Sequence, residues 1–177
     1  MDKKTIAEME PERLRKIRLI VTDVDGVLTD GRIGFTSTGA EIKYFNCKDG
    51  CGFAQWHRAG GLSAFLTGRG SSILLRRAQE LRITKLVLNA GDKLPELRRI
   101  CEELDVPLDC TLYMGDDLPD LECLRAAGIG VAVADASEPA LAAADAVTRR
   151  GGGQGAFREV VDVLLNAPGK TPAEPNK

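Results

Sequence analysis

Apolar residues fall along this chain in short continuous runs, each followed by a stretch with helical spacing. The runs cover residues 18–22, 62–66, 85–88, 111–114 and 130–134, with a shorter one near 145–148. None alternates with polar residues, which is the pattern of strands covered on both faces. Helices are predicted between and after them, at 50–59, 71–81, 93–104, 118–127 and 155–166. In the third, Leu94, Leu97, Ile100, Cys101 and Leu104 fall on one face. Strand–helix alternation of this kind predicts an α/β fold with a doubly wound parallel sheet.

One segment breaks the alternation. In "GRIGFTSTGAEIKYFN" apolar residues stand at Ile33, Phe35, Ile42 and Tyr44 around an "STG" turn, the period of a β-hairpin. Its place between the first strand and the first helix puts it at the edge where such sheets bind ligands. It reads either as an edge hairpin extending the sheet or as a flap over a site. The chain divides into a charged N-terminal extension at 1–16, one domain at 17–169 and a Pro- and Lys-rich tail at 170–177.

Composition narrows the function classes. The 177 residues are 44% hydrophobic and 28% charged with a net charge of -2, an ordinary globular balance without the basic field that attracts nucleic acid. No apolar stretch approaches the roughly 18 residues of a membrane span, and the first 16 residues lack the apolar core of a secretory signal. The expectation is a cytoplasmic protein. Five scattered cysteines (Cys47, Cys51, Cys101, Cys110, Cys123) suit free thiols, and a single histidine leaves a zinc site without a second ligand pair.

The candidate chemistry stands at the carboxyl ends of the predicted strands. Asp23 and Asp25 follow the first, Thr67-Gly68-Arg69 the second, and "NAGDK", ending at Lys93, the third. "GDDLPD" follows the fourth, with Asp116, Asp117 and Asp120. Each alone has a plain structural explanation as a turn, a helix cap or a solvated charge. Together they describe phosphoryl transfer. Crowded carboxylates need a hard cation such as Mg²⁺. An ionised aspartate beside it can attack phosphorus, and the phosphoryl oxygens need fixed donors such as Lys93 and the Thr67 hydroxyl. A second carboxylic acid must protonate the leaving oxygen and later deprotonate water.

Asp23-Val24-Asp25-Gly26-Val27, Thr67-Gly68-Arg69, Lys93 and Gly115-Asp116-Asp117-x-x-Asp120 resemble the four motifs of the haloacid-dehalogenase-like phosphatases. The hairpin, "FNCKDG", "TGR", "GVAVADA" and "GGGQGAFREV" resemble that superfamily's cap-less branch, whose members release phosphate from an eight-carbon keto sugar acid 8-phosphate for lipopolysaccharide precursor synthesis.

The resemblance implies Asp23 as nucleophile and Mg²⁺ ligand, and Asp25 as acid/base with its carbonyl on the metal. Thr67 and Lys93 would hold the phosphoryl group and Asp116 would complete the metal ligands. Asp117 and Asp120 would support them, Asp117 also orienting Lys93. Substrate contacts carry over to Asp25, Asn46, Cys47, Lys48, Asp49, Gly50, Gly68, Arg69, Arg77 and Lys93.

It also implies a hairpin in place of a separate cap domain, and a homotetramer in which neighbours complete each site, with "GGGQGAFREV" as the closing element. Ala54 and Gln154 depart from basic residues found in some relatives. A related branch acting on a nine-carbon acid 9-phosphate carries glutamate where this chain has Arg69, which favours the eight-carbon substrate. A receiver-like signalling domain would carry its phosphorylated aspartate after the third strand, and a non-catalytic assembly module would lack Asp23 or Asp25.

Overall fold

The computed structural model describes residues 3–168; the tail expected at 170–177 lies outside the described residues. Six parallel strands make the central sheet: β1 (Leu19–Thr22), β4 (Leu62–Leu66), β5 (Lys85–Val87), β6 (Thr111–Gly115), β7 (Ile129–Ala132) and β8 (Ala146–Val147), in the order β5-β4-β1-β6-β7-β8. Every residue of β1, β6 and β7 is buried, as their unbroken apolar runs predict. Chain order reverses at β1, which pairs with β4 on one side and β6 on the other. That reversal opens a crevice at the strand ends, the place where open α/β sheets bind ligands.

The helices are α1 (Pro11–Lys16), α2 (Cys47–Arg58), α3 (Ser72–Glu80), α4 (Lys93–Glu103), α5 (Leu121–Ala126), α6 (Glu138–Ala143) and α7 (Ala156–Leu165). One apolar layer packs under α2, α3 and α7, the other under α4, α5 and α6. Phe53 of α2 stacks on Phe157 of α7 at 3.6 Å between ring centroids and meets Phe65 of β4 edge-on at 5.7 Å, locking α2 over the sheet.

Three features differ from the sequence expectations. The helix expected at 118–127 is a 3-10 turn, Leu118–Asp120, that leads into α5. A further helix, α6, begins with Pro139 in its first turn, where a missing N–H costs nothing; its six residues are too few for apolar periodicity to show. Residues 3–16 are built into the domain: Ile6, Met9 and Leu14 are buried in the core, and Thr5 bridges to Val147 of β8.

The insertion between β1 and α2 is a hairpin of β2 (Gly34–Phe35) and β3 (Glu41–Ile42), antiparallel to each other and forming their own sheet. It is therefore a flap, not an extension of the central sheet. Its polarity is inverted: Phe35 is 64% and Tyr44 76% exposed, whereas the Lys43 side chain is 1% exposed.

Candidate active site

Burial of β1 carries Asp23 to the sheet's carboxyl edge, where its backbone N–H donates to the Met114 carbonyl at 3.0 Å. The chain then turns sharply through Gly26, whose φ is +91° and where a Cβ would stand 2.0 Å from Asp116 Oδ2. Only glycine combines that backbone with so close a carboxylate. From the adjacent strand end, β6, the 115–120 loop brings Asp116 and Asp120 to the same place. One carboxylate oxygen from each of Asp23, Asp116 and Asp120 lies within 4.8 Å of the others.

Lys93, at the start of α4, reaches into this group. Its ammonium lies 2.7 Å from Asp120 Oδ1 and 3.1 Å from Asp23 Oδ1. Asp120 is fully engaged: Tyr113 donates its hydroxyl to Oδ1 at 2.6 Å, and the N–H groups of Asp116 and Asp117 donate to Oδ2 at 3.0 and 3.3 Å. Asp120 thus holds Lys93 and the 115–120 loop together. The expected contact of Lys93 with Asp117 is not made; Asp117 is exposed, and a loop that turns Asp120 inward turns Asp117 out. The supporting role of buried Tyr113 had no motif to mark it.

Charge does not balance. Burial first, then neighbouring Asp120, pushes the Asp23 carboxyl up to about 6, against the pull of Lys93. Burial, Asp23 and Asp120 push Asp116 up to about 7. Asp23 Oδ1 is buried without an aligned hydrogen bond. With Asp120 already saturated, Asp23 and Asp116 are left as hard oxygen donors facing one another, and this set fits a hard divalent cation such as Mg²⁺.

Thr67 stands buried at the end of β4, where its hydroxyl accepts the Arg69 N–H at 3.3 Å. Gly68 and Arg69 are exposed beside it. Arg69 faces the flap: its guanidinium lies 3.3 Å from Glu41 and 3.7 Å from Asp25 Oδ2. Asp25 Oδ1 contacts the Lys43 ammonium.

The remaining expected contacts form a second group. Asn46 caps α2, accepting the Lys48 N–H at 2.9 Å and donating to the Gly153 carbonyl at 3.0 Å. Cys47 and Lys48 are exposed on the first turn. A Cβ at Gly50 would stand 3.2 Å from the Arg77 guanidinium, which pairs with Glu80 at 2.8 Å and lies over the Phe45 ring. Asp49 is 3% exposed and accepts the Arg158 N–H at 2.9 Å, so one of its oxygens caps α7 from inside. In the "GGGQG" segment Gly151, Gly152 and Gly155 are buried, whereas Gln154 is exposed. A Cβ at Gly152 would stand 1.9 Å from the Gly26 carbonyl oxygen, and the Gly153 N–H donates to the Val27 carbonyl. The segment buttresses the Asp23–Asp25 turn from behind.

Residues 58–155 match the haloacid dehalogenase-like hydrolase family. The 3-deoxy-D-manno-octulosonate 8-phosphate phosphatase of Escherichia coli K12 is 40% identical over 158 residues, 89% of this chain and 84% of its own. That of Haemophilus influenzae is 39% identical over 90% of this chain and 89% of its own. The crystal structure of the Moraxella catarrhalis phosphatase, in complex with magnesium, phosphate and 3-deoxy-D-manno-octulosonate (Kdo), superposes with a TM-score of 0.86 at 39% identity, covering 89% of this chain and 90% of that one.

Proposed function

The chain belongs to the haloacid dehalogenase-like hydrolases, and from that membership we propose the residue-level account of how it hydrolyses Kdo 8-phosphate to Kdo and phosphate. The single observation that carries the account is the unbalanced carboxylate group at the β1 and β6 ends, with Lys93 the one cation paired with it among the described residues. Relatives named for this activity, similar over nearly their whole length, support the substrate.

Asp23 attacks phosphorus, forming an aspartyl phosphate. The P–O bond to the sugar breaks, and Asp25 gives its proton to the departing oxygen. Asp25 then takes a proton from water as that water attacks phosphorus and frees Asp23. Lys93, fixed by Asp120, and the Thr67 hydroxyl hold the phosphoryl oxygens. The enzyme's cofactor is Mg²⁺, which Asp23, Asp116 and the Asp25 carbonyl would hold and which, when bound, neutralises the crowded carboxylates and the phosphoryl charge. Arg69 and Arg77 suit the substrate carboxylate, since a guanidinium can bind it in a fork.

The outward face of the flap, with Ile33 52%, Phe35 64% and Tyr44 76% exposed, supports a homotetramer built through the flap, because apolar side chains grouped on one small element suit an interface. Phe35→Asp with Tyr44→Asp is expected to reduce the assembly in sedimentation; an unchanged mass would exclude the flap as the interface. Five unpaired cysteines support a reducing, cytoplasmic setting, and among the described residues no helix is long and apolar enough to cross a membrane.

The test of function is phosphate release from sugar-acid phosphates with and without Mg²⁺. The eight-carbon keto acid 8-phosphate is expected to exceed the nine-carbon 9-phosphate at least tenfold in kcat/KM, with no release in chelator and none from Asp23→Asn. A tenfold preference for the nine-carbon acid would overturn the substrate; a fully active Asp23→Asn would overturn the nucleophile.

A further inference from the structure

We propose that Lys43, carried by the flap, is a positioning residue that fixes the orientation of Asp25 for proton transfer; the inference rests on Asp25 being the acid/base. Glu41, in β3, and Lys43, just past its end, point inward and meet each other, while Tyr44 is 76% exposed. The Lys43 side chain, 1% exposed, contacts Asp25 Oδ1 and lies 3.5 Å from Glu41. Arg69 closes the ring, 3.3 Å from Glu41 and 3.7 Å from Asp25 Oδ2. Two cations and two carboxylates balance, which is what burial of a lysine requires.

Lys43 and Arg69 do not treat Asp25 alike. Oδ1 is engaged by the Lys43 ammonium, whereas Oδ2 lies beyond hydrogen-bond reach of Arg69, is shielded from water and has no hydrogen-bond partner among the described residues. A carboxylate free to spin would offer either oxygen; one held at Oδ1 presents Oδ2 alone. Once substrate displaces the side chains that cover it, Oδ2 is the atom that gives its proton to the sugar oxygen as the P–O bond breaks, and regains one from the attacking water. A two-stranded hairpin is marginal by itself, so the same contact that aims Asp25 pins the flap, and flap position and proton transfer are coupled.

A purely structural salt bridge would lower all activities together, whereas a positioning role depends on the leaving group. A sugar alkoxide needs a proton from Asp25 and p-nitrophenolate does not. The experiment compares kcat/KM for Kdo 8-phosphate and p-nitrophenyl phosphate in wild type, Lys43→Met, Lys43→Arg and Asp25→Asn, in saturating Mg²⁺. Lys43→Met is expected to lose about 10²-fold on the sugar phosphate, within the range of general acid catalysis, and less than about fivefold on the nitrophenyl ester. Lys43→Arg, which keeps the charge, is expected to recover most of the loss and remains the informative variant if Lys43→Met does not fold. Equal losses on both substrates, no loss, or an Arg variant as impaired as Met would overturn the role of Lys43. If Asp25→Asn itself shows no difference between the two esters, the acid/base reading fails, and the inference with it.

Discussion

Asp116→Asn separates the electrostatic account from a purely steric one. In metal-free protein at pH 8 the Asp116 carboxylate is ionised beside Asp23 and Asp120, with only Lys93 opposing them. Its pKa, 3.8 in an unperturbed chain, stands at about 7 in the fold because of burial and those neighbours. A carboxyl whose folded pKa lies above its unfolded one favours the fold at low pH, and that contribution is lost as pH rises towards 7. At about 1.4 kcal/mol per pKa unit the ceiling on the loss is about 4 kcal/mol. Asp116 is half-buried, and solvent screening brings this to about 2 kcal/mol.

Asparagine keeps the shape and removes the charge, so in chelator at pH 8 the variant should melt about 4–8 °C above wild type, at about 2–4 °C per kcal/mol for a domain of this size. At pH 5 the wild-type carboxyl is protonated in the fold, and the advantage should shrink to less than half. Adding Mg²⁺ should raise the melting temperature of wild type at pH 8 and leave the variant nearly unmoved. Circular dichroism melts of both proteins at pH 5 and 8, with and without Mg²⁺, read all of this. A variant less stable than wild type at pH 8 in chelator, or a gain equal at both pH values, would refute the claim that Asp116 is held in an unfavourable charged group.

Asp120→Asn weakens the anchor of Lys93 while leaving the metal donors Asp23 and Asp116 in place. The expected result is a 10- to 100-fold fall in kcat with little change in Mg²⁺ affinity by calorimetry, on the order of what misplacing a catalytic group costs. Gly26→Ala meets both a φ of +91° and the Asp116 carboxylate; about 1–3 kcal/mol of stability should be lost in urea melts, with activity falling alongside. Gly152→Ala presses on the Gly26 carbonyl from the opposite side. It should lower kcat more than it raises KM, because the displaced atoms belong to the turn between nucleophile and acid/base.

The sheet was legible because its strands are buried on both faces, and continuous apolar runs record that directly. The short helices were not: α6 has six residues, too few for a period, and α1 is a charged hexamer that contributes a single buried residue, Leu14. In the site, Asp23, Thr67, Lys93 and Asp116 could be placed from strand-end position alone. Which carboxylate of the 115–120 loop holds Lys93 could not, since Asp117 and Asp120 differ only in the way the loop turns them. The hairpin misled in an instructive way. Its apolar positions announced the strand period, but Ile33, Phe35 and Tyr44 are exposed, and it is Lys43, with Glu41 beside it, that reaches Asp25. Charged residues alternating with apolar ones on a flap have two possible inside faces, and only the fold selects one. The part Asp49 plays in capping α7 had no motif to mark it, because it follows from α7 docking onto α2 through Phe53 and Phe157.

The central claim is covalent attack by Asp23. The most direct measurement is peptide mass spectrometry of Asp25→Asn quenched in acid after brief mixing with p-nitrophenyl phosphate and Mg²⁺. That leaving group needs no acid, while loss of the base slows release of the intermediate. A phosphoryl group is predicted on the peptide that contains Asp23, and none on the same peptide when Mg²⁺ is chelated. Turnover of the ester by this variant with no label on the peptide, or with the label on another residue, would contradict the account.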